Sequence, residues 1–364
     1  MKKEISGKIN SGQFTELLDK NFGAVRPEVL AGPGFGVDVS LVQLPGEMVM
    51  AITSDPLSLI PSLGLQESAW LSVQLMINDI ATTGYAPMLA QFVLNLPDTL
   101  SKEDFKEYWK HVHLYCERAG VAITGGHTGF VEGMNSTISG GGTMMTIGDK
   151  RKIRLSKMAA EGDVILVTKS AAISSAAILA MSFPKTVQEH AGKATWQLAC
   201  ESFYQTSSLE DALIAVGAID ESETGNSTQN DSEDSGVTAM HDVTEGGILG
   251  AIYELVYASE KGAIIHKEKI PVGIVQQEVC NIFSLDPLRC IGAGSMIITC
   301  KKEFVTELIS RMTASGINCT EVGVISRKED GIQIVEKDET VDLVYYDTDP
   351  YWAAYFNAIK SGWR

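Results

Sequence analysis

The segment Glu67–Gly84 constrains this chain more than any other. Ala69, Val73, Ile77 and Ile80 recur at helical spacing and give a helix one apolar face. Gln74, Asn78 and Thr82 follow at i, i+4 and i+8 as a narrow polar stripe, with Asp79 on its flank. Gly84 suits the residue just past the helix end, and Pro87 prevents continuation. A carboxylate in so apolar a helix is costly unless a partner compensates it, and that partner is either a cation or a donor-rich loop.

Around this helix the chain alternates strands and helices. After a helical lead-in (residues 1–31), a glycine-rich run, Gly32–Gly36, enters the strand-like Val37–Leu44. Met48–Thr53 reads as a buried strand ending at Ser54-Asp55-Pro56, and Met88–Leu96 as another. Ser101 begins a second helix through a capping box with Asp104. Val121–Thr124 is a short strand running into Gly125-Gly126-His127-Thr128-Gly129, and Thr137–Ile147 a glycine-interrupted one. Residues 32–148 therefore form one α/β unit with mixed pairing. Polar and basic residues over Gly148–Ser156 suit a linker. A second α/β unit is expected over 157–340, with strands at Asp163–Thr168, Val237–Met240, Ala263–His266, Ser295–Cys300, Thr320–Ile325 and Ile332–Val335. Its helices read as Ser174–Met181, Val187–Tyr204, Ser208–Val216, one after Gly247, and Glu303–Ala314. The acidic, low-complexity run 220–235 reads as a mobile solvated loop carrying no site, and the tail 341–364 as a short aromatic helix at Tyr351–Ile359. The fold class expected is α/β with mixed sheets in two domains.

Composition narrows the function. With 29 basic and 46 acidic residues the net charge is −17, which argues against a nucleic-acid binder. It leaves nucleotide substrates open, because Mg²⁺ brings phosphates to carboxylates. The six cysteines contain no C-x-x-C pair and read as reduced thiols. No apolar signal segment and no run long enough to span a bilayer is visible, so a cytoplasmic protein is expected. Neither a dinucleotide fingerprint nor a P-loop occurs.

Single residues carry two readings each. Asp55 before a proline fits ordinary turn chemistry, Asp79 a satisfied buried acid, and Asp38 a surface position on an alternating strand. Gly125-Gly126 would let backbone amides approach an anion, with His127 as a metal ligand or phosphate donor; a tight glycine turn with a hydrogen-bonded histidine fits equally. His241-Asp242-Val243-Thr244-Glu245-Gly246-Gly247 stands where a strand meets a helix. Asp242 and Glu245 suit a capping box there, and the helix N-terminus alternatively suits a phosphate or polar substrate.

Taken in order, Gly36-Val37-Asp38, Thr53-Ser54-Asp55, Asn78-Asp79-Ile80-Ala81, Gly125-Gly126-His127-Thr128 and His241–Gly247 resemble the aminoimidazole-ribonucleotide-synthetase-like (PurM-like) superfamily, nearest to its hydrogenase-maturation carbamoyl dehydratase branch. The resemblance implies two α/β domains, the first dimerising through its sheet, with ATP and Mg²⁺ in a cleft beside that interface. It makes Asp38, Asp55 and Asp79 the metal carboxylates, with Asp55, Asp79 and His127 at the reacting centre. Asn78, Gly125, Gly126, Thr128, His241, Asp242, Thr244, Gly246 and Gly247 would meet the nucleotide. It implies a homodimer acting on a small-molecule or carbamoyl-type acceptor, with a maturation partner protein. Val37 replaces an acid of the family pattern, His127 replaces another, and Ala172–Ala177 lacks the glycines and glutamate usual there. The C-terminal substrate cysteine of the hydrogenase-maturation enzyme has no counterpart in Lys360–Arg364. A nucleotide-binding assembly protein of the same fold and a thiamine-monophosphate kinase are the alternatives.

Overall fold

A computed structural model describes residues 8, 11–18, 21–57, 59–134, 139–218, 235–337 and 339–364. Residues 220–234 of the loop expected at 220–235, and the first residues of the strand expected at 137–147, lie outside them. In chain order the described helices are α1 (Ser11–Leu17), α2 (Leu65–Ala81), α3 (Lys102–Arg118), α4 (Ile173–Ser182), α5 (Pro184–Glu201), α6 (Leu209–Ala215), α7 (Gly247–Ala258), α8 (Ile274–Ile282), α9 (Val305–Ala314) and α10 (Pro350–Lys360). The strands are β1 (Val29–Ala31), β2 (Ser40–Gln43), β3 (Met48–Pro56), β4 (Leu89–Pro97), β5 (Ala122–Val131), β6 (Ser139–Asp149), β7 (Val164–Thr168), β8 (Val237–Asp242), β9 (Gly262–His266), β10 (Met296–Cys300), β11 (Cys319–Ser326), β12 (Ile332–Glu336) and β13 (Glu339–Asp342). They make two mixed sheets, ordered β1-β2-β3-β6-β4-β5 and β13-β12-β9-β11-β7-β10-β8.

Burial along the first sheet alternates with period two, so its strands have one covered and one open face. Val49, Ala51 and Thr53 of β3, Ala90, Phe92 and Leu94 of β4, and Met144 and Thr146 of β6 are buried. They pack on α2 and α3, where Tyr108 donates to Ser72 across the helix pair at 2.9 Å. The residues between them, such as Ser54 and Val93, face outward. Helix α2 is covered nearly all round: Met76, Ile77 and Ile80 are fully buried in the first core, worth about 1.5–3 kcal/mol each, while Leu71 and Ala81 join clusters of the second unit. The second sheet is covered on both faces, by α7 on one side and by α6 and α9 on the other. That is why its central strands β7 and β10 are continuous apolar runs with every residue buried.

Several features depart from the sequence reading. Gly125–Gly129 is no turn: it lies inside the ten-residue β5, paired in parallel with β4 alone, at the sheet edge. Gly126 has φ +140°, and a Cβ there would collide with the Phe92 carbonyl, so the glycine serves close strand pairing. The helix after β8 starts later than a capping box at Asp242 and Glu245 requires. Asp242 is the last residue of β8, and the cap is Gly246, in the left-handed region with φ +84°. Helix α8, whose N-cap is Gly273 two residues after Pro271, goes unread in the sequence.

Candidate functional site

The open end of β3 lies over the C-terminal half of α2. Thr53 Oγ1 donates to Asp79 Oδ2 at 2.6 Å, and the strand's alternation puts Asp55 on the same face as Thr53. Burial raises the Asp79 carboxyl well above the ordinary range; repulsion from Asp242, Asp55 and Asp38 adds to it, and the Thr53 hydroxyl only partly offsets it. Burial likewise raises Asp55, with the Lys8 ammonium pulling it down and Asp38 pushing it up.

From the other side come Asp38 and the end of β8. The imidazole of His241, 2 % exposed, has Nδ1 2.7 Å from Asp38 Oδ2 and Nε2 3.3 Å from Glu254 Oε2 on α7. Ser156 also donates to Asp38 Oδ2, at 2.9 Å. Burial alone would make His241 neutral, but the two flanking carboxylates win and hold its pKa well above the ordinary value. Glu254, raised by burial, is brought down to about 2 by hydrogen bonds from His241 and Tyr345 and the charges of Lys8 and His241. Gly36 makes this approach possible. Its φ is +73° and a Cβ would sit 2.6 Å from the Glu254 carbonyl oxygen.

Asp38, His241 and Asp242 place ligand atoms within 4.8 Å of one another. As an imidazolium with a carboxylate at each nitrogen, His241 has no lone pair for a metal. The carboxylates are different. Asp242 Oδ2 is buried without a hydrogen-bond partner, and burial together with repulsion from Asp38 and Asp55 pushes this group up to about 8, against the pull of His241. The Lys8 ammonium is drawn to the same place: it lies 3.5 Å from Glu254 Oε2, and the charges of Glu254, Asp38, Asp242 and Asp79 raise its pKa over the opposing effect of burial. Four converging acids, one with an orphaned oxygen, fit a hard divalent cation.

Other expected site residues are engaged elsewhere. Asn78, 1 % exposed, donates from Nδ2 to the Thr206 carbonyl at 2.9 Å and accepts the Ser208 N–H at Oδ1 at 2.8 Å. Both ends of its amide thus fasten α2 to the second unit. The Gly246 N–H donates to Asp349 Oδ2 at 2.7 Å, and the Gly247 N–H turns back to the Thr244 carbonyl at 3.3 Å. The amides expected to meet a phosphate are therefore occupied by the chain itself, and His241 binds carboxylates. Thr244 is half-buried in the turn between β8 and α7. Gly125, Gly126, His127 and Thr128 are exposed. Asp55, Gly142, Phe92 and Gly126 stand in one row across β3, β6, β4 and β5, so the glycines lie three strand spacings, about 14 Å, from Asp55. His127 pairs with Val93 on the open face, opposite to Asp55 and Asp79, while Gly126 and Thr128 fall in the rows of Phe92 and Leu94 on the covered face.

Sequence reading missed Glu254, although its signal is the one that marked Asp79: a lone acid inside the apolar run Gly247–Ala258. Ser156, Tyr345 and Asp349 carry no such mark.

The AIR synthase related protein models match this chain over residues 36–147 (N-terminal domain) and 160–335 (C-terminal domain). A Methanocaldococcus jannaschii protein named for hydrogenase expression and formation is 25 % identical over 72 % of each chain. A selenide, water dikinase of Methanococcus maripaludis is 26 % identical over 73 % of this chain and 77 % of its own. The crystal structure of the hydrogenase maturation protein HypE in complex with ATP superposes with a TM-score of 0.66 at 17 % identity, covering 95 % of this chain and 97 % of that one. The two sheets, their mixed pairing and the two matched halves agree: this chain belongs to the AIR synthase related family, with the two-domain PurM-like fold expected from its motifs and relatives in the hydrogenase-maturation branch.

Proposed function

We propose that the acidic cluster holds Mg²⁺ and ATP, and that the chain is a cytoplasmic enzyme activating an oxygen of a small-molecule or carbamoyl-type acceptor. The observation that carries this reading is that Asp38 and Asp242, from the two halves of the chain, place ligand atoms within 4.8 Å of one another beside an unpartnered Asp242 oxygen, with Asp55 and Asp79 near enough to repel them. Asp38, Asp55 and Asp79 are the proposed metal ligands, joined by Asp242. Bound there, Mg²⁺ supplies charge neutralisation for the triphosphate. The chain's residues hold that centre: Thr53 orients Asp79, and His241 and Ser156 orient Asp38. In the transfer the bond from the γ-phosphorus to its bridging oxygen breaks, a bond to the acceptor oxygen forms, ADP leaves, and the acceptor's proton passes to a carboxylate or water.

Gly125, Gly126, His127 and Thr128 join this reading through a second copy. The open face of the first sheet exposes Val93 and half-exposes Met50, Ile52 and Met145, an apolar surface suited to pairing with itself. A homodimer through this face brings each His127 into the interface. A maturation partner protein is the further expectation, supported by the naming of the hydrogenase-related relative.

Calorimetric titration with Mg²⁺ and ATP tests the reading. The parent is expected to bind, and Asp79→Asn and Asp242→Asn to lose affinity by at least about a hundredfold, the loss of a charged ligand pair. ADP release that depends on added carbamoyl phosphate or a related acceptor identifies the enzyme; release dependent on thiamine monophosphate would replace that acceptor class. A second reading, a nucleotide-binding assembly protein without turnover, is favoured by one observation. Ser174 and Ser175, in the run Ala172–Ala177 where the family resemblance implies two glycines and a glutamate, both donate to the Ile291 carbonyl, at 3.2 and 2.6 Å. Tight binding without ADP release selects it.

A further inference from the structure

Residues 344–352 lie beyond the stretch matched by the family models and pack back against α7 and the turn that leads into it. The Tyr345 hydroxyl donates to Glu254 Oε1 at 2.7 Å, on the carboxylate whose other oxygen faces His241. Asp349, 3 % exposed, accepts the Gly246 N–H at 2.7 Å through Oδ2 and the Tyr351 N–H at 2.8 Å through Oδ1. One carboxylate thus caps both α7 and α10. The Trp352 indole N–H donates to Glu245 Oε1 at 3.1 Å. Arg289 fastens the run from outside, donating to the Val344 carbonyl at 2.8 Å with its guanidinium 4.2 Å from the Tyr346 ring centre. Beyond it, α10 is anchored by Tyr355 against Phe183 at 5.4 Å, and the chain end by Trp363 against Phe283 at 5.1 Å.

The turn from Val243 to Gly247 has two consecutive residues at positive φ, Gly246 at +84° and Gly247 at +64°. Glycine pairs of this kind are intrinsically loose, and a single hydrogen bond does not fix one. Here three side chains from one short segment hold the turn and the acid behind it.

We propose that residues 344–352 are a strap that positions the site: Asp349 and Trp352 fix the Glu245–Gly246 turn that follows Asp242, and Tyr345 fixes Glu254 and through it His241 and Asp38. Tyr345 and Trp352 are positioning residues, since neither touches the cluster itself. The positioning role rests on the reading of that cluster as a metal–nucleotide site; the mechanical hold on the turn does not.

Tyr345→Phe and Trp352→Phe keep the aromatic packing and remove only the donor. Tyr355→Phe, on α10 and directed away from the turn to Ser62, is the control. Two measurements are made on the full chain: amide hydrogen exchange over residues 241–250, and affinity for Mn²⁺ with ATP together with the Mn²⁺ EPR spectrum. Both donor variants are expected to exchange faster across 243–250, to bind Mn²⁺ and ATP more weakly by on the order of tenfold, and to give an altered EPR spectrum, with the control unchanged. Unaltered exchange overturns the strap, whatever the parent does with metal. Faster exchange with unaltered affinity and spectrum overturns the positioning role. A parent that binds no Mn²⁺ and ATP overturns the site reading and the positioning role with it, and the exchange result then decides the hold on the turn alone.

Discussion

The Nδ1 of His241 lies 2.7 Å from Asp38 Oδ2, a contact between residues 203 positions apart that joins the two halves of the chain inside the protein. With Glu254 at the other nitrogen, the ring is a buried cation between two buried anions. Such a triad is not a source of large net stability, but breaking it is expensive, because the remaining carboxylates are left without compensation.

His241→Ala is therefore expected to destabilise the protein by about 3–5 kcal/mol, and urea unfolding measures it. A smaller loss, below about 1 kcal/mol, would mean that the carboxylates find other partners and that the triad does not hold the halves together.

Asp242 gives a signed pH dependence. In the native chain its carboxyl keeps a proton up to about 8, and in the unfolded chain only to about 4. Between those values the native state binds more protons, so this group's stabilising contribution is full below about pH 4 and is lost as the pH rises towards 8. Asp242→Asn is expected to flatten that decline by a few kcal/mol, seen by comparing unfolding midpoints at pH 5 and 8.5. If Mg²⁺ binds here it displaces the proton, so Mg²⁺ affinity rises with pH over the same window. Chelating the metal should then cost the parent more in melting temperature than the variant.

Asn78→Ala separates a structural clamp from a nucleotide contact. The substitution leaves the Thr206 carbonyl and the Ser208 N–H buried without partners, a loss of roughly 2–4 kcal/mol in ligand-free protein. A variant that melts like the parent when free yet loses nucleotide affinity would put Asn78 back at the phosphate.

For the proposed homodimer, Val93→Glu places a charge on the open sheet face, beside the edge strand β5. Light scattering is expected to find the parent near twice 39.2 kDa and the variant at that mass itself. Monomeric parent protein would remove His127 and the glycines of β5 from the site.

The period-two and period-3.6 patterns made β3, β4, α2, α3 and both sheets legible, because each has one clearly apolar face or is apolar throughout. The sequence also marked Asp79 as a carboxylate too buried to stand alone, and the acids that repel it, Asp242, Asp55 and Asp38, are among those the motifs named. What it did not reveal is how partners are distributed. Asn78, His241 and Gly246 belong to motifs that suggest ligand contacts, yet their polar atoms meet Thr206, Asp38, Glu254 and Asp349. These partners are as much as 203 residues away, and only tertiary packing decides between a ligand and a distant side chain. The glycine run at 125–129 was misread for a local reason: glycine serves a turn and a tightly paired edge strand equally well.

Asn78 fastens α2 to the second half through Thr206 and Ser208, and the pairing of His241 with Asp38 is a second buried fastening between the halves. For the halves to swing apart like the shells of a clam, these buried contacts would have to break. Admission and release of any bound molecule then fall to surface segments moving over a rigid frame, so turnover in this protein would be paced by local opening rather than by domain closure.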